Sequence, residues 1–132
     1  MLFMRKFSER SLKNLSGVHP DLVKCVEAAL QLSTVDFTVI EGVRSIEKQR
    51  EYFNKGASRT MRSYHLQQKD GYGHAVDIYP FYDGKVQVNA PFSKFREIAT
   101  AMKQAAKDLG IVITWGGDWK SFVDSPHFQF EG

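Results

Sequence analysis

The sequence predicts an α+β fold with four helices and about four short strands. Apolar residues recur at helical spacing after Pro20 and again between Ser93 and Leu109. Between the helical segments lie short runs rich in β-forming residues, bounded by glycine and polar turns. The chain has 132 residues, of which 42% are hydrophobic and 25% charged. These values are typical of one globular domain with a substantial core.

Four helices are predicted from spacing and from start and stop residues. They span residues 8–15, a segment that begins at Pro20, residues 45–54 and residues 93–109. Pro20 suits a first helical turn, where its missing N–H group has no partner to lose. The third helix is expected to end near Gly56 and the fourth at Gly110. The buried face of the fourth helix is predicted to contain Phe95, Ile98, Ala99, Met102, Ala106 and Leu109.

Four strands are predicted between and after these helices. They span residues 37–44, 73–79, 111–115 and 127–130. The segment Tyr82-Asp83-Gly84-Lys85 marks a turn after the second strand. A polar loop of roughly residues 56–72 joins the third helix to that strand. Repeats, linkers and low-complexity tracts are absent from the sequence.

The net charge is +3, and Lys55, Arg59, Arg62 and Lys69 lie in one loop region. This excess fits either a mildly basic surface or attraction to an anionic polymer such as cell wall or nucleic acid. Since no aromatic-basic module or nucleic-acid motif accompanies it, we expect no nucleic-acid partner.

Cysteine content and hydropathy bear on where the protein works. Cys25 is the single cysteine and lies in an apolar helical pattern, which predicts a buried, inert thiol. Residues 1–7 contain too short an apolar stretch for a signal peptide. No run approaches the ~18 apolar residues of a membrane helix. We therefore expect synthesis in the cytoplasm and no stable membrane association.

The strand pattern brings an acid and a histidine together. Because side chains alternate along a strand, Asp77 lies on the face opposite Val76 and Ile78. A carboxylate in an apolar strand needs a cation, a metal ion or hydrogen-bond donors as partner. In the last strand His127 and Gln129 share one face. Asp77 and His127 are therefore predicted to meet across adjacent strands.

A second histidine and a second carboxylate complete the parts of a catalytic zinc site, which has three protein ligands, an open position and a base. Asp124 lies three residues before His127. His65 is favoured as the other histidine ligand, because His74 lies three residues from Asp77 and would point to the opposite strand face.

Combined in this order, the motifs carry a family resemblance. Ser-x-His (63–65), Gly-x-Ala-x-Asp (73–77) and a carboxylate-x-x-His (124–127) resemble those of the D-alanyl-D-alanine carboxypeptidase family, the VanY-like metallopeptidases of the M15 group. Residues 17–22 and 115–119 are similar to its L-alanyl-D-glutamate endopeptidase branch, which includes many bacteriophage endolysins. The resemblance implies a Hedgehog/DD-peptidase-like fold, in which helices flank a small antiparallel sheet of about four strands.

The resemblance also implies roles for individual residues. It makes His65, Asp77 and His127 the ligands of one zinc ion, Asp124 the catalytic base, and Arg44 the residue that steadies the substrate carbonyl. One departure concerns the first ligand, since the family motif has two residues between its histidine and its glycine. Here residues 66–72 make seven. A bulged loop would leave both ligands in place.

Five further residues are expected near the site or behind it. Ser63 precedes the first ligand, and His74 is expected at the surface or in support of the ligands. Asp118 either orients a ligand histidine or caps a turn. Gln129 shares the strand face of His127, and Trp115 is expected in the core or the cleft wall.

The resemblance implies hydrolysis of the bond between L-alanine and D-glutamate in the stem peptides of peptidoglycan. We expect residues 1–132 to form a single monomeric peptidase domain without a separate wall-binding domain, similar to single-domain phage lysins. Such an enzyme would reach the periplasm and cell wall once the membrane is permeabilised. Two alternatives remain: a D-alanyl-D-alanine carboxypeptidase or dipeptidase that remodels the wall, and a non-catalytic module with a structural zinc. Two histidines and an aspartate also suit other divalent ions.

Overall fold

The computed structural model describes residues 4–132 and shows four helices and five strands. The helices are α1 (Glu9–Leu15), α2 (Pro20–Leu32), α3 (Ile46–Asn54) and α4 (Phe92–Leu109). The strands are β1 (Phe37–Glu41), β2 (Ala75–Tyr82), β3 (Lys85–Val86), β4 (Ile113–Trp115) and β5 (His127–Phe130). A short 3-10 helix, Gly116–Asp118, follows β4.

The helices begin and end at the residues that the sequence favours. The side chains of Ser8 and Ser45 accept backbone N–H groups at the starts of α1 and α3. The ring of His19 does the same for α2, whose first residue is proline. Gly110 ends α4 in the left-handed conformation, with φ of 71°. None of these helices, within residues 4–132, is long and apolar enough to cross a membrane.

The sheet is antiparallel, with the order β1-β2-β5-β4, and β3 pairs with the far end of β2. The predicted count of about four strands omitted β3. This two-residue strand forms because Asp83 and Gly84 both adopt positive φ, of 55° and 76°. That geometry is typical of a tight hairpin turn, so β2 continues to Tyr82 rather than ending at Tyr79.

The core lies between one face of the sheet and the pair α2 and α4. It includes Leu22, Cys25 and Val26 from α2, Ile98 and Met102 from α4, and Val76, Ile78 and Phe128 from the sheet. The prediction for Leu109 was wrong, because its side chain is 44% exposed. Leu109 occupies the last turn of α4, where Gly110 turns the chain away, and Ala101 and Ala105 extend the buried stripe instead.

The first strand ends earlier than predicted, at Glu41 rather than Arg44. Val39 pairs with Ile78. The next paired residue of β1 is Glu41, two positions later, but its partner Asp77 is only one position away from Ile78 in β2. The extra residue is a β-bulge, which changes the face to which the following side chain points. Glu41 therefore lies on the face of Asp77 and not on the core face of Val39.

Close packing by α1 defines this end of β1. The side-chain amide of Asn14 donates to the carbonyl oxygens of Val39 and Ile40. A Cβ atom at Gly42 would lie 1.9 Å from the backbone oxygen of Asn14, so only glycine fits there. The chain then turns into α3, and this turn places Gly42 and Arg44 beside the sheet face that α2 and α4 leave uncovered.

Candidate metal centre

Three side chains converge on the uncovered face of the sheet. Asp77 on β2 and His127 on β5 are directly opposite each other, and His65 approaches from the loop before β2. The Oδ1 atom of Asp77 lies 3.2 Å from Nε2 of His65 and 3.4 Å from Nδ1 of His127. Among residues 4–132 this is the one group of three whose ligand atoms all lie within 4.8 Å of one another.

Outer hydrogen bonds orient both histidine rings. Nδ1 of His65 donates to the carbonyl oxygen of Gly42 at 2.8 Å, and Nε2 of His127 donates to Oε1 of Gln129 at 2.8 Å. With those protons fixed on the outer nitrogens, each inner nitrogen faces the carboxylate of Asp77. Metal-binding histidines are held in this way by a second partner.

The donor set fits a divalent cation. Two arrangements explain why the inner nitrogens lie so close to the Asp77 oxygen. Either each ring is a charged imidazolium that donates an N–H to the oxygen, or a shared cation takes the place of those protons. Burial disfavours the charged form of Asp77, but hydrogen bonds from His127 and His65 hold the pKa of this carboxyl well below its usual range. Burial likewise opposes charge on His127, yet the contact with Asp77 raises the pKa of its ring. Two imidazoles and one carboxylate suit zinc and its neighbours.

The long loop leaves His65 in place. The hydroxyl of Ser63 accepts the backbone N–H of His65 at 3.1 Å, and the carbonyl of His65 accepts the N–H of Arg44 at 2.9 Å. Residues 66–72 form a compact excursion, in which Gln68 and Tyr72 are joined by a backbone hydrogen bond. Gly73 then bonds back to residues 17 and 19. The extra residues therefore project from the site without moving the ligand.

Arg44 is held beside the three candidate ligands by several contacts. Its guanidinium donates to Glu41 through Nε and Nη2, and to Oε1 of Gln49 through Nη1 at 2.7 Å. Nη2 lies 3.9 Å from Asp77, and the ring of Tyr52 covers the guanidinium at 4.6 Å. Three of the five guanidinium N–H donors are used in this way, so two remain for a bound molecule.

The sequence interpretation missed Glu41 and Gln49, the two residues whose side chains accept hydrogen bonds from Arg44. Gln49 is fully buried, and its amide nitrogen donates to Ser58 and to the carbonyl oxygen of Thr60. Gln49 therefore links Arg44 to the loop that follows α3. A polar residue about one turn into a short helix gives no such signal, and the bulge in β1 hid the direction of Glu41.

Asp124 lies in the same cleft, on the loop before β5. Its backbone N–H donates to the carbonyl of Gly116, and its own carbonyl accepts the N–H of His127. A Cβ atom at Gly116 would lie 2.3 Å from the backbone oxygen of Asp124, so this glycine permits the close approach. Burial, together with the charge of Asp77, raises the pKa of the Asp124 carboxyl. A raised pKa is what a proton-accepting group near neutral pH requires.

The site forms the floor of a cleft of about 880 Å³. Ser63, Gln129, Trp119 and Phe122 contribute to the lining, with the ring of Trp119 5.3 Å from that of His127. Arg44, His65, Asp77, Asp124 and His127 also face this cleft. The structure thus gathers the five central residues of the sequence interpretation in one place.

His74 points away from the cleft, as strand alternation predicted. Its Nε2 atom lies 2.7 Å from Oδ2 of Asp70, and its ring packs against Phe130 and His19. Tyr72 packs on His19, with ring centroids 5.6 Å apart. Neither His74 nor Tyr72 supports the candidate ligands. Both side chains instead contact His19, on the side of the sheet away from the cleft.

Two other expected site residues lie elsewhere. Asp118 is exposed and pairs with Lys103 at 2.7 Å, so it orients no ligand histidine. Trp115 is only 4% exposed and stacks on Phe128 in the core. Its indole N–H donates to the carbonyl of Ser125, which anchors the loop of Asp124 from behind.

The chain is similar to known proteins along most of its length. The sequence profile of the family described as "Phage L-alanyl-D-glutamate peptidase" matches residues 1–130. The chain is 34% identical over 122 residues to the L-alanyl-D-glutamate peptidase of Escherichia phage T5, covering 90% of this chain and 85% of that protein. It is 31% identical over 147 residues to the peptidoglycan L-alanyl-D-glutamate endopeptidase CwlK of Bacillus subtilis, covering 92% and 80%.

A solved structure is also similar. The crystal structure of the L-Ala D-Glu endopeptidase ChiX of Serratia marcescens superposes with a TM-score of 0.86 at 44% sequence identity. The match covers 97% of this chain and 91% of ChiX. Profile, relatives and structure agree along nearly the whole length, so the chain belongs to the phage L-alanyl-D-glutamate peptidase family.

Proposed function

We propose that this protein is a zinc-dependent endopeptidase that hydrolyses the L-alanyl–D-glutamate bond in peptidoglycan stem peptides. One observation carries the proposal: a single cleft contains a His-Asp-His group, a second carboxylate and a clamped arginine. Relatives that share most of the chain are named for this bond, and one of them for peptidoglycan.

His65, Asp77 and His127 would hold the metal ion, through Nε2, Oδ1 and Nδ1 respectively. Bound zinc supplies a Lewis acid and lowers the pKa of a bound water toward ~7. The chain's own contribution is to hold the two imidazoles in the required orientation, through Gly42 and Gln129.

Asp124 is the proposed general base. It lies in the cleft beside the ligand group, and burial raises the pKa of its carboxyl. It would take a proton from the attacking water and then deliver that proton to the leaving amide nitrogen of D-glutamate. Backbone hydrogen bonds to Gly116 and His127 fix the main chain of Asp124 beside the candidate ligands.

Arg44 is proposed to stabilise the negative charge that develops on the carbonyl oxygen of L-alanine. Among residues 4–132, two of its N–H donors have no partner, while Glu41 and Gln49 accept from the other three. Such preorganised donors cost no rearrangement during the reaction. A backbone hydrogen bond also joins Arg44 to His65, which ties the proposed donor to a candidate ligand.

We also propose that residues 1–132 act as a single monomeric peptidase domain in the lysis of a phage-infected cell. The family match to residues 1–130 supports the domain, and similarity to the phage T5 enzyme supports the role in a phage. In this role the enzyme would act on the cell wall after the membrane is permeabilised.

The decisive variant is Asp124→Asn, with Asp118→Asn as matched control. Asp118 is an exposed carboxylate on the preceding segment and pairs only with Lys103. We expect Asp124→Asn to retain bound metal and to lose ~10²–10⁴-fold in turnover, while the control keeps both. Products of digested sacculi, read by mass spectrometry, should carry a new N-terminal D-glutamate. Released D-alanine instead would assign the enzyme to the D-alanyl-D-alanine peptidases, and equal turnover of both variants would contradict the role of Asp124.

A further inference from the structure

Charge is divided unevenly within the cleft. The acids that line it are Glu41, Asp77 and Asp124, and these lie at the buried floor, among the two histidines and Arg44. The exposed walls instead carry Arg10 from α1, Lys48 from α3, and Arg59 and Arg62 from the loop before His65. Among residues 4–132 none of these four wall cations forms an ion pair with an Asp or Glu.

One wall cation is already held in position. The guanidinium of Arg59 lies over the ring of Phe122 at 3.9 Å, and this contact joins the two loops that line the cleft. A stacked guanidinium is fixed by its face, whereas its N–H donors at the edge stay free for a carboxylate. Arg59 is thus oriented but its charge is not neutralised.

The backbone of Phe122 supports a functional reading of this contact. Phe122 has φ of 52°, a conformation that bulky residues seldom adopt, and its side chain is 61% exposed. Burial therefore gives little compensation for the strained backbone. Residues in such conformations cluster at ligand-binding segments.

We propose that the wall cations, among them the oriented Arg59, form a subsite that binds the free carboxylates of an acidic peptide next to the scissile bond. This inference rests on the proposed function. A glutamyl residue that is acylated on nitrogen has two carboxyl groups, and the chain continues from only one of them. The other is a free anion at neutral pH, and a following residue can add a further one. The four wall cations, which form no ion pair among residues 4–132, carry the charge opposite to that of these carboxylates.

The test compares Arg59→Gln and the double variant with Arg62→Gln against Arg50→Gln. Arg50 is an exposed arginine of α3 that does not line the cleft. Three L-alanyl–D-glutamyl peptides serve as probes: one with a free glutamyl carboxylate, one amidated there, and one whose carboxylate lies only on the following residue. Calorimetry measures binding, and chromatography measures cleavage.

We expect the double variant to bind a free-acid peptide on the order of tenfold more weakly, as for the loss of a charged hydrogen bond. The fully amidated peptide should bind both proteins equally, and Arg50→Gln should match the wild type. A selective loss with the first or the third peptide identifies which carboxylate is bound. If the double variant lost affinity equally for the free-acid and the amidated peptides, or lost none, the proposed subsite would be wrong. Charge-selective binding without any cleavage would overturn the proposed function and leave the subsite standing.

Discussion

Asp77 and His127 lie directly opposite each other on β2 and β5, with Oδ1 of the aspartate 3.4 Å from Nδ1 of the histidine. The neighbouring pairs, Ala75 with Gln129 and Val76 with Phe128, keep the same register. A slip by one residue would move His127 to the core face and Phe128 to the cleft. Burial of Phe128 therefore fixes the position of two metal-ligand candidates at once.

Replacement of Gln129 tests the outer support of His127. Gln129→Ala removes the acceptor of the Nε2 proton, so the ring loses its fixed orientation. We expect a 10–100-fold loss of metal affinity, typical of such outer partners, with little change in thermal stability. Competition with a chromophoric chelator measures this, and Gln104→Ala on the exposed face of α4 is the control. Unchanged affinity would show that His127 is held by the sheet alone.

Replacement of Gly116 tests the placement of Asp124. In Gly116→Ala the new Cβ would approach the backbone oxygen of Asp124 to 2.3 Å, so the loop must shift. A displaced catalytic group can cost ~10²-fold in rate. Gly110→Ala is the contrasting variant. An alanine held at the positive φ of this position should lower the stability by about 1 kcal/mol, whereas the folded enzyme should keep full turnover. Steady-state kinetics and thermal melting separate the two, and normal turnover in Gly116→Ala would refute the close packing.

Replacement of Gln49 tests the clamp on Arg44. Gln49→Met keeps a similar volume but leaves Nη1 of Arg44 without its acceptor, and the carbonyl of Thr60 keeps only the hydroxyl of Ser58 as a side-chain donor. A buried donor left without a partner costs roughly 1–3 kcal/mol. We expect a lower melting temperature and a lower kcat, with KM less affected. Gln49→Glu retains the acceptor for Arg44 and should recover part of the kcat. If both variants lost stability but kept wild-type kcat, the role of Gln49 would be structural only.

The thiol of Cys25 should be inert in the folded protein. Burial raises the pKa of Cys25 to about 12, so at pH 8 almost no reactive thiolate forms. Its side chain is also fully buried, beside the backbone of Met102. We expect no labelling by iodoacetamide under native conditions and complete labelling in denaturant, measured by intact mass. Rapid native labelling would contradict the packing of α2 against α4.

Period-two alternation was sufficient to predict that Asp77 meets His127 and that His74 points away. These inferences succeed because a strand leaves a side chain only two directions, and burial of Val76 and Phe128 selects one. The same alternation misplaces Glu41, because a bulge between Val39 and Glu41 reverses its face. This bulge lies where Asn14 of α1 contacts Val39 and Ile40, and the local sequence of β1 does not predict such a contact.

Other features depend on contacts distant in sequence. The length of the loop at residues 66–72 left the position of His65 open. In the structure, His65 is held by the hydrogen bonds that it donates to Gly42 and Ser63. Asp118 and Trp115 stand beside motif residues in sequence, yet the 3-10 turn directs one to Lys103 and the core encloses the other. Proximity to a motif in sequence therefore did not predict which residues support the candidate ligands.

The most direct test of the metal-dependent peptidase is digestion of purified sacculi by the wild-type enzyme after chelation and after zinc is restored. If His65, Asp77 and His127 hold the catalytic ion, chelation should abolish release of peptides with N-terminal D-glutamate. One equivalent of zinc should restore that release. Full release of the same peptides by metal-free enzyme, verified by elemental analysis, would contradict the account.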